Sequence, residues 1–153
     1  MVDVIVIGGG PAGVTAALRA RELGASAVLI ERGRLGGTCT NDGCVPTRVL
    51  AKAARLMRDS ADFAEYGLIA ERPTVDFPAL LARTQQVVYQ VQEKKQLIDH
   101  LEAAQVRTIH GRGGARFVDT THVAVGDEVI EGSKVIICAG GYSRKLSIPG
   151  VEH

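Results

Sequence analysis

Residues 8–13, Gly8-Gly9-Gly10-Pro11-Ala12-Gly13, separate two stretches of different character, and this order of features decides the fold class. Residues 2–7 before them are mostly β-branched and form a run too short for a helix. Residues 12–23 after them are rich in Ala, Leu and Arg, which favours a helix beginning at Pro11. Residues 27–30 are a second apolar run. Because neither apolar run alternates with polar residues, we expect an α/β fold with a parallel sheet covered by helices on both faces.

The glycines of this turn fit the pattern G-x-G-x-x-G, which is typical of dinucleotide-binding sites. Gly8 permits the tight turn, Gly10 lets a pyrophosphate approach the backbone, and Gly13 lets the helix pack closely on the sheet. The helix N-terminus offers free N–H groups to the phosphates. Glu31, at the end of the second strand, can accept hydrogen bonds from a ribose diol and would repel a 2′-phosphate. The sequence therefore favours FAD or NAD over NADP. The alternative is that the glycines only form a strand-to-helix turn and that Glu31 is a solvated residue at the end of a strand.

Composition limits the classes of function. The chain has 153 residues, 46% of them hydrophobic and 23% charged, which suits one globular domain. Its formal net charge of +1 gives no reason to expect a nucleic-acid partner. No apolar run is long enough to span a membrane, and residues 1–4 lack the basic start of a secretory signal. Three cysteines are too few for a disulfide framework, so we expect a cytoplasmic protein.

The remainder of the chain predicts two helices and a group of short strands. The helices run from residue 46 to about 62 and from 77 to about 104, and we expect them to form an antiparallel pair covering the sheet rather than a coiled-coil interaction module. Short strand candidates separated by Gly and Asp turns follow at 106–109, 115–118, 123–125 and 135–138. Cys138 is expected to be a buried strand residue.

Cys39 and Cys44 lie in a glycine-rich loop that leads into the helix near Pro46. Glycines on both sides allow the two sulfurs to approach, and a thiol at a helix N-terminus has a lowered pKa, which favours a thiolate especially at Cys44. A zinc site would need two further ligands, which no paired histidines supply. A structural disulfide would be unusual in a cytosolic protein. A redox-active dithiol beside a dinucleotide cofactor accounts best for these features.

The motif Gly36-Gly37-Thr38-Cys39-x-Asn41-x-Gly43-Cys44-Val45-Pro46-Thr47 resembles the active-site signature of the class I pyridine nucleotide–disulfide oxidoreductases, a family that includes dihydrolipoamide dehydrogenase, glutathione reductase and mercuric reductase. The stretch 137–141, followed by 148–150, resembles the family's later strand and its exit from the first FAD segment. The resemblance implies a Rossmann-like FAD-binding domain with an inserted antiparallel helical pair and a small β-meander.

The resemblance also implies how the cysteines work. Cys44 would be the sulfur next to the flavin and Cys39 the sulfur that exchanges with substrate. Electrons would pass from NAD(P)H to FAD and on to the Cys39–Cys44 disulfide, or in reverse. The positions expected to contact the cofactor are Gly8, Gly10, Pro11, Ala12, Gly13, Glu31, Arg32, Gly37, Thr38, Arg48, Ala139 and Gly140.

Two features depart from the family pattern. Arg48 stands where the family usually has Lys, and because Arg carries a wide planar fork it either contacts the flavin differently or lies on the helix surface in solvent. Members of the family have chains several-fold longer, which add a nicotinamide domain and a dimerisation domain. We therefore expect residues 1–153 to be the N-terminal part of an FAD-binding domain, inactive alone, from a homodimeric enzyme acting on a small disulfide, a dithiol or a metal ion. A non-catalytic dinucleotide-binding module, or a metal site using the cysteines, is the alternative.

Overall fold

The computed structural model describes residues 1–144 and 146–151. It has the expected α/β architecture, in which three parallel strands and part of a fourth form one half of a six-stranded sheet. None of the helices in these residues combines the length and apolar composition needed to cross a bilayer. The helices are α1 Pro11–Glu22, α2 Gly37–Asn41, α3 Cys44–Asp59, a 3₁₀ helix Ser60–Tyr66, α4 Phe77–Lys95 and α5 Leu97–Ala103. The strands are β1 Val2–Ile7, β2 Ala27–Glu31, β3 Arg107–His110, β4 Arg116–Phe117, β5 His122–Val125 and β6 Glu128–Ile137.

The strand order is β3-β2-β1-β6-β5-β4, and β6 belongs to both halves of the sheet. Its first residues pair antiparallel with β5, whereas its residues from Gly132 onward pair parallel with β1. A Cβ atom at Gly132 would lie 2.6 Å from Cγ1 of Ile5, so only glycine allows the strand to pass this close to β1. The sequence predicted only the last residues of β6, because charged residues and Gly132 interrupt the apolar residues before Val135.

Helices cover one face of the sheet and the β-meander covers the other, which corrects the expectation of helices on both faces. Since side chains alternate along a strand, neighbouring residues of β1 enter different cores. On the helical side α1 and α5 bury a cluster of Val6, Val14, Ala17, Leu29, Leu101 and Val106. On the other side Val123, Val125 and Ile130 of the meander pack with Ile5, Val28, Ile30 and Ile109.

The long helix predicted from residue 77 to about 104 is two helices in the structure. Gln96 has φ of 45°, in the left-handed region, and it ends α4 and begins α5. The change of direction lets Leu97 and Leu101 of α5 pack on the helical core of the sheet, which a straight continuation of α4 would not reach. Tertiary packing therefore outweighs the local preference for an unbroken helix.

The pair formed by α3 and α4 does not cover the sheet, contrary to the prediction. The two helices pack mainly against each other, and α3 contains no buried residue. The end of α4 at Lys95 lies beside Thr40, just before α3 begins, so the two helices are antiparallel. The place on the sheet that this pair was expected to fill is taken by α5. The pair instead contacts α2 and so holds it in position.

Candidate functional site

The glycine turn joins the carboxyl end of β1 to α1, and two of its glycines are required by close contacts within the protein. Gly8 has φ of +111°, and a Cβ there would lie 2.1 Å from the Cys138 carbonyl oxygen. A Cβ at Gly13 would lie 1.7 Å from the Gly8 carbonyl oxygen. Gly13 therefore lets α1 pack closely against the residue that follows β1 and the residue that follows β6. These contacts hold the start of α1 at the carboxyl edge of the parallel strands.

Gly10 differs from the other two glycines because the protein does not fill the space beside it. The nearest atom to a Cβ built there is the Cα of Gly37, at 3.6 Å, which is an ordinary contact. Gly10 is the N-cap of α1, and no side chain caps the N–H groups of the first turn. A bare backbone next to uncapped N–H groups is the arrangement that accepts a pyrophosphate.

A cavity of about 400 Å³ opens in front of this turn. It brings together most of the residues predicted to contact a cofactor, from four separate parts of the chain: Gly8, Gly10, Pro11, Ala12, Glu31, Arg32, Gly37, Thr38, Ala139 and Gly140. Cys39 also lines it. The lining adds residues that the sequence reasoning missed, namely Gly33, Arg34, Asn41, Asp42 and Cys138. Each of these five lies within two residues of a predicted position, so proximity to the motifs was the signal available.

A second cavity, of about 290 Å³, continues the first past Arg32. The two share Gly8, Glu31, Arg32, Ala139 and Gly140, and the second is extended by Gly114, Ala115 and Tyr142. The Arg32 guanidinium carbon lies 5.3 Å from the centre of the Tyr142 ring, a cation–π contact. No local motif predicts Gly114 or Tyr142, because only the folding of the meander brings them to this edge.

Glu31 is held by the backbone on both sides of the cavity. Its Oε2 accepts a hydrogen bond from the Gly9 N–H at 2.7 Å, and its Oε1 accepts one from the Gly33 N–H at 2.8 Å. The carboxylate thus links the glycine turn to the loop after β2. Each oxygen retains a second lone pair for a ligand hydroxyl, so this structural contact is compatible with the predicted contact to a ribose.

The structure does not place Gly13 or Arg48 in the lining of these cavities. Gly13 is covered by the turn, as described above. Arg48 is exposed on α3 and lines a groove of about 550 Å³ between α3 and α4. Its guanidinium is nevertheless close enough to lower the pKa of Cys39. In the described residues Arg48 is thus a charge near the cysteines and not a wall of the nucleotide cavity.

The two cysteines of the motif are brought together by a short helix that the sequence predicted as a loop. Cys39 is half-buried within α2 and lines the larger cavity, whereas Cys44 is exposed and is the first residue of α3. Both are free thiols. Hydrogen bonding to Cys44 raises the pKa of the Cys39 thiol, and partial burial and repulsion by Cys44 act in the same direction. Lys95 and Arg48 oppose this rise.

The Cys44 thiol therefore disfavours ionisation of Cys39. Cys44 stands at the N-terminus of a helix of 16 residues, a position that stabilises a thiolate. That the first thiolate of the pair forms at Cys44 stays a prediction. The exposure of the two side chains does not match their expected roles. Cys39, the expected partner of the substrate, is less exposed than Cys44.

Cys138 is not the buried strand residue that was expected. It follows the last residue of β6, is half-buried and borders the larger cavity, where its N–H donates to the Ile7 carbonyl at 2.7 Å. In residues 1–144 and 146–151, no three Cys, His, Asp or Glu side chains are grouped so as to hold a metal ion.

Comparison with known proteins gives matches over nearly the whole chain. Residues 2–153 match the family model described as pyridine nucleotide-disulphide oxidoreductase. The chain is 33% identical, over 97% of its length, to dihydrolipoyl dehydrogenase 1, mitochondrial, of Arabidopsis thaliana, and 36% identical, over 97%, to a mercuric reductase of Shigella flexneri. It covers 30% and 27% of these two relatives.

A solved structure has the same fold. The HOCl-induced flavoprotein disulfide reductase RclA from Escherichia coli superposes with a TM-score of 0.75 at 28% identity, over 99% of this chain and 31% of that one. The chain therefore spans about three tenths of the length of the proteins it matches, and the matched region contains both the glycine turn and the cysteine pair.

Proposed function

Since the chain belongs to the pyridine nucleotide-disulphide oxidoreductase family, we propose that residues 1–153 form the FAD-binding part of a disulfide oxidoreductase whose redox centre is Cys39 and Cys44. One observation carries this proposal. The Cys44 thiol is near enough to Cys39 to raise its pKa, and Cys39 also lines the cavity built by the glycine turn. A cofactor in that cavity and a dithiol at its wall are the two components that flavin-linked disulfide reduction requires.

The residues present fit FAD. The uncapped start of α1 and the bare Cα of Gly10 would take the pyrophosphate, and the carboxylate of Glu31 would take a ribose diol. Arg32 and Tyr142 line the adjoining cavity, where a planar ring could stack on them. When bound, FAD would supply the two-electron transfer between a reduced pyridine nucleotide and the cysteine pair.

The cysteines would complete the reaction by thiol–disulfide exchange. The Cys39 thiolate attacks one sulfur of a disulfide substrate, forming a mixed disulfide and releasing one substrate thiol after proton uptake. The Cys44 thiolate then attacks the Cys39 sulfur, which forms the Cys39–Cys44 disulfide and releases the second thiol. Two electrons leave the protein and two protons end on the products, so the pair must be reduced again before the next cycle.

The substrate is proposed at the level of its class. A small disulfide or dithiol suits this exchange, and the names of the relatives add a metal ion, since two of them are mercuric reductases. We propose a homodimer for the complete enzyme and the cytoplasm for its location, although two relatives are named as mitochondrial. A non-catalytic dinucleotide-binding module is the competing function, and it gives the cysteines no redox role.

Thiol counting under reducing and oxidising conditions separates the two functions. The reduced chain should lose two of its three thiols on mild oxidation and regain them with dithiothreitol, because Cys39 and Cys44 pair. Cys138→Ser is the matched control and should still lose two, whereas Cys39→Ser and Cys44→Ser should form no intramolecular disulfide. Oxidation that leaves all three thiols free, or that pairs Cys138, would contradict the proposal.

A further inference from the structure

The helix that carries Cys39 is short and is held from one side by the end of α4. α2 has five residues and no side-chain cap. The Lys95 ammonium donates a hydrogen bond to Oγ1 of Thr40 at 2.8 Å, and Gln92 donates one to Oδ1 of Asn41. These two acceptors are the residues directly after Cys39. A helix of this length does not hold its own conformation in water, so these contacts fix the position of the thiol.

Lys95 differs from the other lysine at the end of α4. Its side chain is half-buried and Thr40, its partner, is fully buried, whereas the neighbouring Lys94 is exposed. None of the ion pairs found among residues 1–144 and 146–151 involves Lys95. Its ammonium is thus anchored by a hydroxyl, without a carboxylate that would neutralise it. Among the positive groups that lower the pKa of Cys39, Lys95 has the larger influence and Arg48 the smaller.

We propose that Lys95 is a positioning residue of the redox centre: anchored on Thr40, it fixes the helix that carries Cys39 and supplies a fixed positive charge for the thiolate formed there. This inference rests on the proposed function, because it explains how Cys39 can ionise while the Cys44 sulfur beside it opposes a second negative charge. Lys95 touches neither the cavity in front of the glycine turn nor, by the proposal, the substrate.

The test measures Cys39 alone, in the chain carrying Cys44→Ser and Cys138→Ser. The rate of alkylation by iodoacetamide is followed against pH for Lys95→Met, Lys95→Arg and the matched control Lys94→Met. Lys95→Met should move the midpoint of the profile to higher pH and slow alkylation at neutral pH about twofold or more, as removal of a half-exposed charge interaction does. Lys95→Arg should restore the profile because it keeps the charge, and Lys94→Met should leave it unchanged.

An unchanged midpoint in Lys95→Met would overturn the inference, as would an equal shift in Lys94→Met or no rescue by Lys95→Arg. Gln92→Leu distinguishes the effect of charge from the effect of helix support, because it removes the contact with Asn41 but no charge. The midpoint of the alkylation profile should not move in this variant. Formation of the Cys39–Cys44 disulfide, measured in the chain with all three cysteines, reports on the proposed function independently, so the failure of one is distinguishable from the failure of the other.

Discussion

Alanine substitution should lower stability at Gly13 and cofactor affinity at Gly10. Both glycines belong to the same turn, and both changes add one methyl group. At Gly13 the new Cβ would start 1.7 Å from the Gly8 carbonyl oxygen, whereas at Gly10 its nearest protein atom is 3.6 Å away. The turn therefore contains one glycine required by the protein and one that leaves room for a ligand.

The magnitudes follow from these distances. Real Cβ contacts shorter than 3.0 Å are essentially never seen, so Gly13→Ala must push the two groups apart by about 1.3 Å. Overpacking of this kind costs about 3 kcal/mol or more, against a gain of about 1 kcal/mol from the helix propensity of alanine. Gly10 has φ of −76°, which alanine adopts freely, so Gly10→Ala should change the free energy of unfolding by less than about 1 kcal/mol. Its methyl group occupies the space proposed for the pyrophosphate and should weaken FAD binding by about tenfold or more.

Two assays on the same variants decide the matter. Urea unfolding followed by circular dichroism gives the midpoint and slope, and quenching of flavin fluorescence gives the Kd for FAD. We expect Gly13→Ala to unfold at markedly lower urea and Gly10→Ala to unfold like the wild type while losing affinity. Unchanged FAD affinity in Gly10→Ala would refute the assignment of this space to the cofactor, and a Gly13→Ala as stable as the wild type would refute the packing argument.

Three further predictions concern other parts of the structure. Glu31→Gln should raise the Kd for FAD and speed amide exchange at the two N–H groups that the carboxylate binds, as measured by fluorescence and NMR. Hydrogen bonds from the Thr121 backbone and then the His122 side chain lower the pKa of Asp119. The contribution of this carboxylate to folding stability is therefore complete above its unfolded pKa of about 3.9 and is lost as the pH falls toward the folded value. A plot of urea midpoint against pH should be flatter for Asp119→Asn than for the wild type. Leu101→Ala, in fully buried surroundings on α5, should cost about 2–5 kcal/mol, whereas Leu81→Ala, 47% exposed on α4, should cost less than about 1 kcal/mol; equal costs would contradict the assignment of α5 to the sheet.

The part of the fold that the sequence predicts correctly is the part governed by local rules. The glycine turn, the strands before and after α1, and Glu31 at the end of β2 follow one another within 31 residues, and each has a local chemical reason. Gly8, Gly10, Pro11, Ala12 and Glu31 were predicted to line the cavity for the same reason. Cys39 is a case in between, since its motif was evident but the short helix around it was not.

The errors came from long-range packing. No Gly or Pro marks the break between α4 and α5; a glutamine, Gln96, adopts the left-handed conformation because α5 must return to the sheet. The covering of one sheet face by the meander was missed because Val123 and Ile130 reach the core of the parallel strands only through tertiary packing. Arg48 was expected either at the flavin or on the helix surface, and the direction of α3 places it in the groove between α3 and α4. The direction of a helix relative to the sheet depends on tertiary contacts, which local sequence patterns do not predict.

The most direct test of the account is a visible absorption spectrum of the chain with added FAD, recorded anaerobically before and after partial reduction by a dithiol. The account predicts that a flavin band stays with the protein through gel filtration and that a long-wavelength band appears on partial reduction and is absent in Cys44→Ser. Retained flavin and reversible pairing of Cys39 with Cys44 would then belong to one site. A spectrum without retained flavin, from a chain whose cysteines form no disulfide, would contradict the account.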